Sequence, residues 1–213
     1  MKIQKERIIV MDRINGQKIL EKLEKIGRIS HKSEDKITKG SAEKFIRKLI
    51  QLGHESVLEH HQITVKIICD RGISHEIVRH RIGSYTQEST RYCAYKELEI
   101  ILPLEIKKNK EAKKIFLNQI KEIEKTYLIL LEKGVSPEIA RNILPHALKT
   151  EIYCTFNLRQ WRHIFSLRCS LNAHPQIRRI FLKILKTFQK RIPVIFEDFL
   201  IDEEKGFAIK KSI

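Results

Sequence analysis

The chain has 213 residues, of which 42% are hydrophobic and 32% charged, and its formal net charge is +16. This length can bury a sizeable core, and so basic a surface attracts polyanions such as nucleic acid, anionic lipid or phosphorylated small molecules. Biased genomic composition would produce the same charge. No signal peptide and no apolar run near the ~18 residues of a membrane helix is evident, so we expect a cytoplasmic protein without a membrane partner.

No internal repeat or low-complexity linker divides the chain, which predicts a single domain over residues 1–213. The cysteines show neither a C-x-x-C pair nor zinc-finger spacing; they are Cys69, Cys93, Cys154 and Cys169. A cytoplasmic location keeps such thiols reduced. We expect Cys93, the nearest of them to the central motif described below, to serve in packing.

The first third of the chain alternates short strands with amphipathic helices. Residues 8–11 and the alternating stretch 62–69 predict strands. Helical spacing of apolar residues predicts a helix over 16–27 and a second helix from Ser41 that Gly53 closes.

Residues 53–61 contain three histidines and two carboxylates, which suggests a metal site or acid–base chemistry. The same segment also fits a helix start, in which Ser56 is the N-cap and Glu59, three residues later, completes a capping box. Both interpretations are open at this point.

Residues 70–78 predict a turn followed by a short helix, with Gly72 breaking the chain and Ser74 as the N-cap. Glu76 and Arg79 then share one helix face, where they could pair or bind a uracil-like ring between them. His75 and the histidine at position 80 are five residues apart, so they cannot share the face that a zinc-protease motif requires.

Residues 79–92 form a basic and polar loop that burial does not explain. Arg79, His80 and Arg81 are followed by a Gly-Ser turn, a run of short polar side chains and Arg91. Guanidinium groups bind phosphate bidentately, while hydroxyls and amides read the polar edge of a base. The loop therefore suits a nucleotide ligand, and a solvated basic loop is the alternative.

The second half of the chain is richer in helices. A strand over 99–102 precedes a helix over 110–133, and a further helix has Ser136 as N-cap and Pro137 at its first position. Arg141 near the end of that helix suits the helix dipole. Residues 152–156 are β-prone, Pro175 begins the last long helix, and the tail packs Phe196 and Phe199 before a charged end that we expect to fray.

Asn157 is a natural N-cap for a helix whose apolar face holds Leu158, Trp161, Ile164 and Phe165. Arg159 and His163, four residues apart, share a different face that suits an anionic or planar ligand. Arg168 lies at the end of this helix, where the dipole favours a cation.

The spacing of Arg79, His80 and Arg81 from Ser89, with seven residues between, resembles the signature of the flavin-dependent thymidylate synthases. Residues 74–76 and 87–93 are also similar to that family, and weaker likeness extends in pieces from 53 to 174. Thr86 and Glu76 depart from the commonest family residues. The resemblance implies an α+β fold, with a mixed or antiparallel sheet flanked by amphipathic helices, in a homotetramer that shares its active sites between subunits.

The resemblance further implies reductive methylation of dUMP to dTMP, with FAD as cofactor and methylenetetrahydrofolate and NADPH as co-substrates, and no metal. The FAD contacts would be Ser56, Arg79, His80, Arg81, Gln87, Asn157, Leu158, Arg159 and His163. The dUMP contacts would be Glu76, Ile77, Val78, Arg79, Gln87, Glu88, Ser89, Thr90, Arg91, Arg141 and Arg168. Arg168 would orient the pyrimidine and favour ionisation at N3, while Ser89 would position the substrate rather than act as a nucleophile.

Two other functions compete with this interpretation. The basic charge and the side chains of Tyr85, Tyr92 and Tyr95 would suit an RNA-binding protein, although no RNP, KH or helix-turn-helix signature is present. A metal-dependent phosphohydrolase could use the histidines of residues 53–61, namely His54, His60 and His61.

Overall fold

The computed structural model describes residues 1–211. The strands are β1 Lys2–Gln4, β2 Arg7–Val10, β3 Gln62–Asp70, β4 Ser84–Gln87, β5 Glu99–Ile101, β6 Lys149–Asn157, β7 Phe199–Asp202 and β8 Phe207–Lys210. The α-helices are α1 Gly16–Arg28, α2 Ser41–Gln51, α3 Arg71–Ile77, α4 Leu104–Lys108, α5 Lys110–Glu132, α6 Pro137–Ala140, α7 Leu158–Arg168, α8 Pro175–Arg191 and α9 Pro193–Phe196. Short 3-10 helices lie at Ile29–His31, Glu34–Lys36, Glu55–His60 and Arg141–Ile143.

The strands form three sheets in the described residues. The largest has the order β2-β3-β6-β4, while β1 pairs with β5 in parallel and β7 pairs with β8 antiparallel. The predicted mixture of helix and sheet is therefore confirmed. Among residues 1–211, no helix has the length and apolar character needed to cross a bilayer.

The chain divides into two compact units. The first unit contains residues 1–9, 66–81 and 85–154, and the second unit contains residues 10–65, 82–84 and 155 onward. β3 and β6 pass from one unit into the other along the chain. One domain spanning residues 1–213 stays a prediction.

The core of the second unit is aromatic and centres on Trp161. Its indole ring meets Phe156 edge-on at 4.8 Å and Phe188 at 5.2 Å, and its Nε1 donates to the Ile63 carbonyl at 3.0 Å. Such edge-to-face pairs add to the stabilisation from burial, and a buried indole N–H needs an acceptor. The apolar stripe of α8 that faces this core is buried as predicted; it consists of Ile177, Ile180, Phe181, Ile184, Leu185 and Phe188.

The first unit has a smaller core of Leu98, Tyr127, Ala140 and Leu148, against which Tyr95 packs. Tyr127 comes from the middle of α5, and its hydroxyl accepts a hydrogen bond from the Tyr95 backbone N–H at 3.3 Å. This contact ties the segment just after residues 79–92 to α5, the long helix of this unit.

Two predicted helix starts are wrong. Asp70, and not Ser74, caps α3, because its Oδ1 accepts from the Ile73 N–H at 2.8 Å. Gly72 therefore lies inside the helix, and Ser74 is buried within it. Ser56 caps no α-helix, because Glu55–His60 is a 3-10 helix without a side-chain cap. Only six residues are available there before β3 begins at Gln62, and the tighter helix suits so short a segment.

Three further expectations also fail. The polar run after Arg81 is not a continuous loop, because residues 84–87 form β4. Cys93 is exposed rather than packed. The tail does not fray over the described residues but forms the β7–β8 hairpin, since Phe207 and Ala208 bury apolar surface and Gly206 adopts a φ of 65° at the turn. The last two residues of that tail lie outside the described part of the chain.

Candidate functional site

The central arginine-histidine-arginine motif follows α3 directly. His80 is buried, whereas Arg79 and Arg81 on either side are exposed. The Tyr85 hydroxyl lies 3.0 Å from the Ile77 carbonyl and 2.5 Å from the His80 carbonyl, to which it donates. Burial raises the pKa of Tyr85, so the hydroxyl stays protonated and keeps this donor. The backbone of the motif is thereby held with the two guanidinium groups outward.

Gly83 allows β4 to begin in close contact with its neighbour. A Cβ at this position would lie 2.2 Å from Cδ1 of Phe156 and 3.0 Å from the Thr155 carbonyl oxygen. Any larger residue would therefore clash with an aromatic ring of the core. The packing explains why glycine follows the basic motif at this distance.

Gln87 is oriented by two buried hydroxyls. Its Nε2 donates to Ser74 Oγ at 2.8 Å and to Thr150 Oγ1 at 3.1 Å, and both partners are fully buried. Because the amide nitrogen is used on the interior side, the carbonyl oxygen of the same amide is directed away from these hydroxyls. The arrangement gives Gln87 a defined polar edge.

Glu88 attaches the motif to its surroundings in the first unit. Its carboxylate accepts from the Tyr95 hydroxyl at 3.0 Å and from Lys149 Nζ at 3.3 Å. Its backbone N–H donates to the Glu151 carbonyl at 2.9 Å, and its own carbonyl accepts from Arg71 at 3.3 Å. The side chain and the main chain of Glu88 are thus both hydrogen-bonded within the protein, and these bonds fix the position of the residues next to it.

Glu88 is also part of a network of charged side chains around Lys149. Its ammonium lies 2.8 Å from Glu151 and 3.5 Å from Glu99, in addition to Glu88. Burial lowers the pKa of Lys149, but the bond to Glu151 and the charge of Glu88 outweigh it, so the net pKa is raised. Lys149 and then Lys66 lower the pKa of Glu151. Lys149 and Glu151 are therefore both ionised at neutral pH.

Two arginines have partners at or near the end of the motif. Arg91 Nε donates to Glu138 at 2.9 Å, and Arg141 Nη1 donates to the hydroxyl of buried Thr90 at 3.4 Å. The Ser89 hydroxyl accepts from the Arg91 N–H at 3.2 Å, which fits a positioning role. Of the predicted substrate residues, the structure therefore brings Ser89, Thr90, Arg91 and Arg141 together.

A second group of predicted residues surrounds a cavity of about 550 Å³ in the second unit. Asn157, Arg159 and His163 all contribute to its wall. The complete lining is Glu55, Glu59, Ile82, Asn157, Arg159, Gln160, Arg162, His163, Ser166 and Lys210. A volume of this size is typical of cavities that bind small molecules and cofactors.

The first turn of α7 positions the cavity residues. Asn157 caps the helix as predicted, because its side chain accepts from the Gln160 N–H at 2.8 Å. The Leu158 N–H donates to the His61 carbonyl at 2.9 Å, while its side chain is buried. Arg159 pairs with Glu59 at 2.5 Å, which directs its guanidinium along the cavity wall.

Sequence reasoning missed an ionic network under this cavity. Arg162 is 1% exposed, donates to Glu55 Oε1 at 3.0 Å and forms two bonds to the Asp198 carboxylate, at 2.8 and 2.6 Å. Lys210 lies 3.3 Å from the same oxygen of Glu55. The sequence shows the carboxylates of residues 53–61, but no local pattern marks Arg162 as buried or Lys210 as part of a site.

The remaining predicted residues lie at the ends of two helices and in a 3-10 turn. Glu76 and Ile77 end α3, and Val78 is its exposed C-cap. Ser56 is exposed in the Glu55–His60 turn, and Arg168 is the last residue of α7. In the part of the chain that the structure describes, no group of three or more His, Cys, Asp or Glu side chains is placed to hold a metal ion.

The donor set of the cavity fits a phosphorylated planar group. Arg159 and Lys210 supply positive charge, Asn157 and His163 supply hydrogen-bonding side chains, and Ile82 offers apolar surface. Guanidinium and ammonium groups suit phosphate, and apolar side chains suit the face of a ring. The chemistry of the wall is therefore compatible with a flavin nucleotide.

Comparison with known proteins gives a consistent picture. A family model described as thymidylate synthase complementing protein matches residues 13–194. The flavin-dependent thymidylate synthase of Pyrococcus furiosus is 38% identical over 170 residues, covering 78% of this chain and 70% of that protein. The enzyme of the same name from Geobacter sulfurreducens is 34% identical over 167 residues, covering 77% and 72%.

Among solved structures, the chain resembles the UMP/dUMP methylase PolB from Streptomyces cacaoi, which was solved bound with 5-Br dUMP. The TM-score is 0.80, with 23% sequence identity, over 92% of this chain and 96% of the other. At this identity, the likeness establishes a shared fold.

Proposed function

We propose that this chain, which belongs to the flavin-dependent thymidylate synthase family, converts dUMP to dTMP by reductive methylation. The predicted family is confirmed by the match over residues 13–194. The structural observation that carries the proposal is the cluster in which Gln87, Ser89 and Arg91 lie on one segment that also meets Arg141. A phosphate and a hydrogen-bonding base are the ligand groups that such a cluster fits.

Arg91 and Arg141 would bind the phosphate of dUMP in this scheme. Both guanidinium groups are presented at an exposed surface, and each is held by one polar partner, Glu138 or Thr90. Gln87 would contact the uracil through its defined polar edge, and Ser89 would position the nucleotide. The end of α3, with Glu76, Ile77, Val78 and Arg79, would complete the substrate site, and Glu88 would anchor the segment that carries Gln87 and Ser89.

Arg168 would act on the pyrimidine itself. A guanidinium placed beside N3 and O4 stabilises negative charge in the ring, which makes C5 a better nucleophile towards the one-carbon unit. The three buried thiols are poorly suited to act as nucleophiles, because burial raises the pKa of Cys154 to about 12 and also raises the pKa of Cys69 and Cys169. Thiols with raised pKa values are poor nucleophiles at neutral pH.

The cofactor in this proposal is FAD, which supplies hydride transfer when bound. Asn157, Leu158, Arg159 and His163 would hold it at the cavity of the second unit. The other proposed FAD contacts are Ser56, Gln87 and the basic motif Arg79, His80 and Arg81. Methylenetetrahydrofolate would donate the carbon and NADPH would reduce the cofactor.

A homotetramer with shared active sites and a cytoplasmic location complete the proposal, with no nucleic-acid or membrane partner. The RNA-binding alternative loses support because two of its three proposed stacking residues are only partly exposed: Tyr85 and Tyr95 each donate an internal hydrogen bond. Tyr92, which is 78% exposed, is the remaining candidate for stacking among the three.

The decisive experiment compares purified wild-type protein with Arg168→Ala. We expect the wild type to bind FAD with a flavin absorption spectrum and to release tritium from [5-³H]dUMP when methylenetetrahydrofolate and NADPH are supplied. The variant should keep its flavin and lose tritium release. An exposed arginine at the end of α8, Arg191, offers a matched control, since Arg191→Ala should leave turnover unchanged. A colourless wild type that cannot be reconstituted with FAD, yet retards RNA, would contradict the enzyme.

A further inference from the structure

The C-terminal hairpin supplies one wall of the cavity in the second unit. Lys210, the last residue of β8, lines the cavity together with Asn157, Arg159 and His163. The family model matches residues 13–194, so the hairpin lies beyond the matched region. Lys210 is therefore a cavity residue that the family match does not include.

The position of Lys210 is defined by the packing of its hairpin. Phe199 stands opposite Lys210 in the antiparallel register, and the aromatic side chain is 2% exposed. The Ala208 N–H donates to the Cys169 carbonyl at 2.8 Å, which attaches β8 to the end of α7. Because α7 also carries Arg159 and His163, the strand that holds Lys210 is attached to the helix that supplies these two cavity residues.

The charge of Lys210 is only partly used by its protein neighbour. Glu55 Oε1 already accepts from buried Arg162 at 3.0 Å, and Lys210 approaches the same oxygen at 3.3 Å. Ion-paired N–H···O bonds are usually about 2.7–2.9 Å long. An ammonium group has three donors, and its side chain here is 36% exposed, so it can donate to a ligand without losing Glu55.

We propose that Lys210 contacts a phosphate group of the flavin nucleotide and so favours phosphorylated flavins over riboflavin. The inference rests on the proposed function, because that function places a flavin in this cavity. Its recognition chemistry is an ammonium-to-phosphate hydrogen bond at a wall that also carries Arg159. Glu55 acts as the positioning residue, since it holds the Lys210 side chain at the cavity.

The test measures dissociation constants for FAD, FMN, riboflavin and NADPH, by flavin fluorescence and by calorimetry. With Lys210→Gln, we expect FAD and FMN to bind about tenfold more weakly, as for loss of one hydrogen bond to a charged group, while riboflavin binding is unchanged. Lys210→Arg should recover most of the affinity. Lys205→Gln, at the exposed turn of the same hairpin, is the matched control and should bind all ligands as the wild type does.

The outcomes separate this inference from the proposed function. Equal FAD affinity in Lys210→Gln and wild type would overturn the inference alone. Equal losses for FAD and riboflavin would also overturn it, because Lys210 would then shape the cavity without contacting phosphate. A loss confined to NADPH would assign the contact to another ligand. A wild type that binds no flavin would overturn the proposed function together with the inference.

Discussion

Residues of the same type have different roles here because their burial differs. Arg162 is buried, and Glu55 and Asp198 together balance its charge, so its role is structural. Arg91 keeps 57% of its side chain exposed beside Glu138, and it is available to an anionic ligand. Breaking a buried pair leaves an uncompensated charge and costs several kcal/mol, whereas an exposed pair contributes roughly 0–1 kcal/mol.

Arg91→Ala should therefore impair substrate binding without unfolding the protein. We expect the KM for dUMP to rise about tenfold or more, because a hydrogen bond to a charged phosphate is lost, while FAD affinity is unchanged. Steady-state kinetics and flavin titration measure the two quantities separately. Arg91→Lys keeps the charge but loses the fork geometry, so its KM for dUMP should lie between those of the wild type and Arg91→Ala. An unchanged KM in Arg91→Ala would remove this arginine from the phosphate site.

At the scale of the elements, the ends of helices and strands depend on contacts several residues away. Asp70 caps α3 across three residues, and Asn157 caps α7 in the same way. β4 depends on a different device, since it follows a glycine that lies against Phe156. β4, the strand that carries Gln87, thus begins next to a position where only glycine fits without a steric clash.

Gly83→Ala should destabilise the protein by about 1–3 kcal/mol, since the added methyl group would overlap the Phe156 ring. Urea denaturation followed by tryptophan fluorescence measures the change. A double-mutant cycle with Phe156→Leu identifies the cause, because the cost of Gly83→Ala should shrink when the ring is absent. The same cost in both backgrounds would show that the strain has another source.

At the scale of the whole molecule, stability should depend on pH through His61. Burial and then the charge of Lys22 lower its pKa below 6.5, and Asp12 opposes them only in part. Below pH 6.5, His61 becomes protonated in the unfolded chain, whereas it stays neutral in the folded chain until the pH reaches its lower folded pKa. The free energy of unfolding should therefore fall as pH drops from 6.5 towards the folded pKa of His61. Above pH 6.5, His61 is neutral in both states and causes no loss of stability.

Urea denaturation at a series of pH values checks this expectation. His61→Gln has no ionisable ring, so the slope of stability against pH should be smaller in this window. The backbone carbonyl that accepts from Leu158 is kept in the variant. Identical slopes in the variant and the wild type would show that groups other than His61 cause the loss of stability below pH 6.5.

Shared active sites predict complementation between inactive variants. If one subunit supplies Arg91 and another supplies Arg168, mixed tetramers of Arg91→Ala and Arg168→Ala contain some sites with both arginines intact. We expect the mixture to recover turnover after dissociation and reassembly, while each variant alone stays impaired. Light scattering and tagged subunits verify that mixed tetramers have formed. Verified mixed tetramers without recovered activity would contradict sharing of this pair.

Local sequence patterns were sufficient for much of the fold. Apolar spacing predicted α1, α2, α5 and α8, because one buried face repeats every three to four residues. Glycine conformation marked helix ends at Gly53 and Gly134, whose φ angles are positive. The spacing of residues 79–81 from Ser89 resembles the signature of the family, and the comparison with known proteins confirms that resemblance.

Only the tertiary structure decided which charges are buried and which distant segments meet. Arg162 follows Arg159 by one helical turn, yet packing buries Arg162 and leaves Arg159 exposed at the cavity. Lys210 meets Glu55 across 155 positions of sequence. Such contacts depend on how hairpin and helices pack, and no local periodicity records that packing. The sequence by itself therefore determined the family and its helices, whereas the ionic network around the cavity was determined by long-range packing.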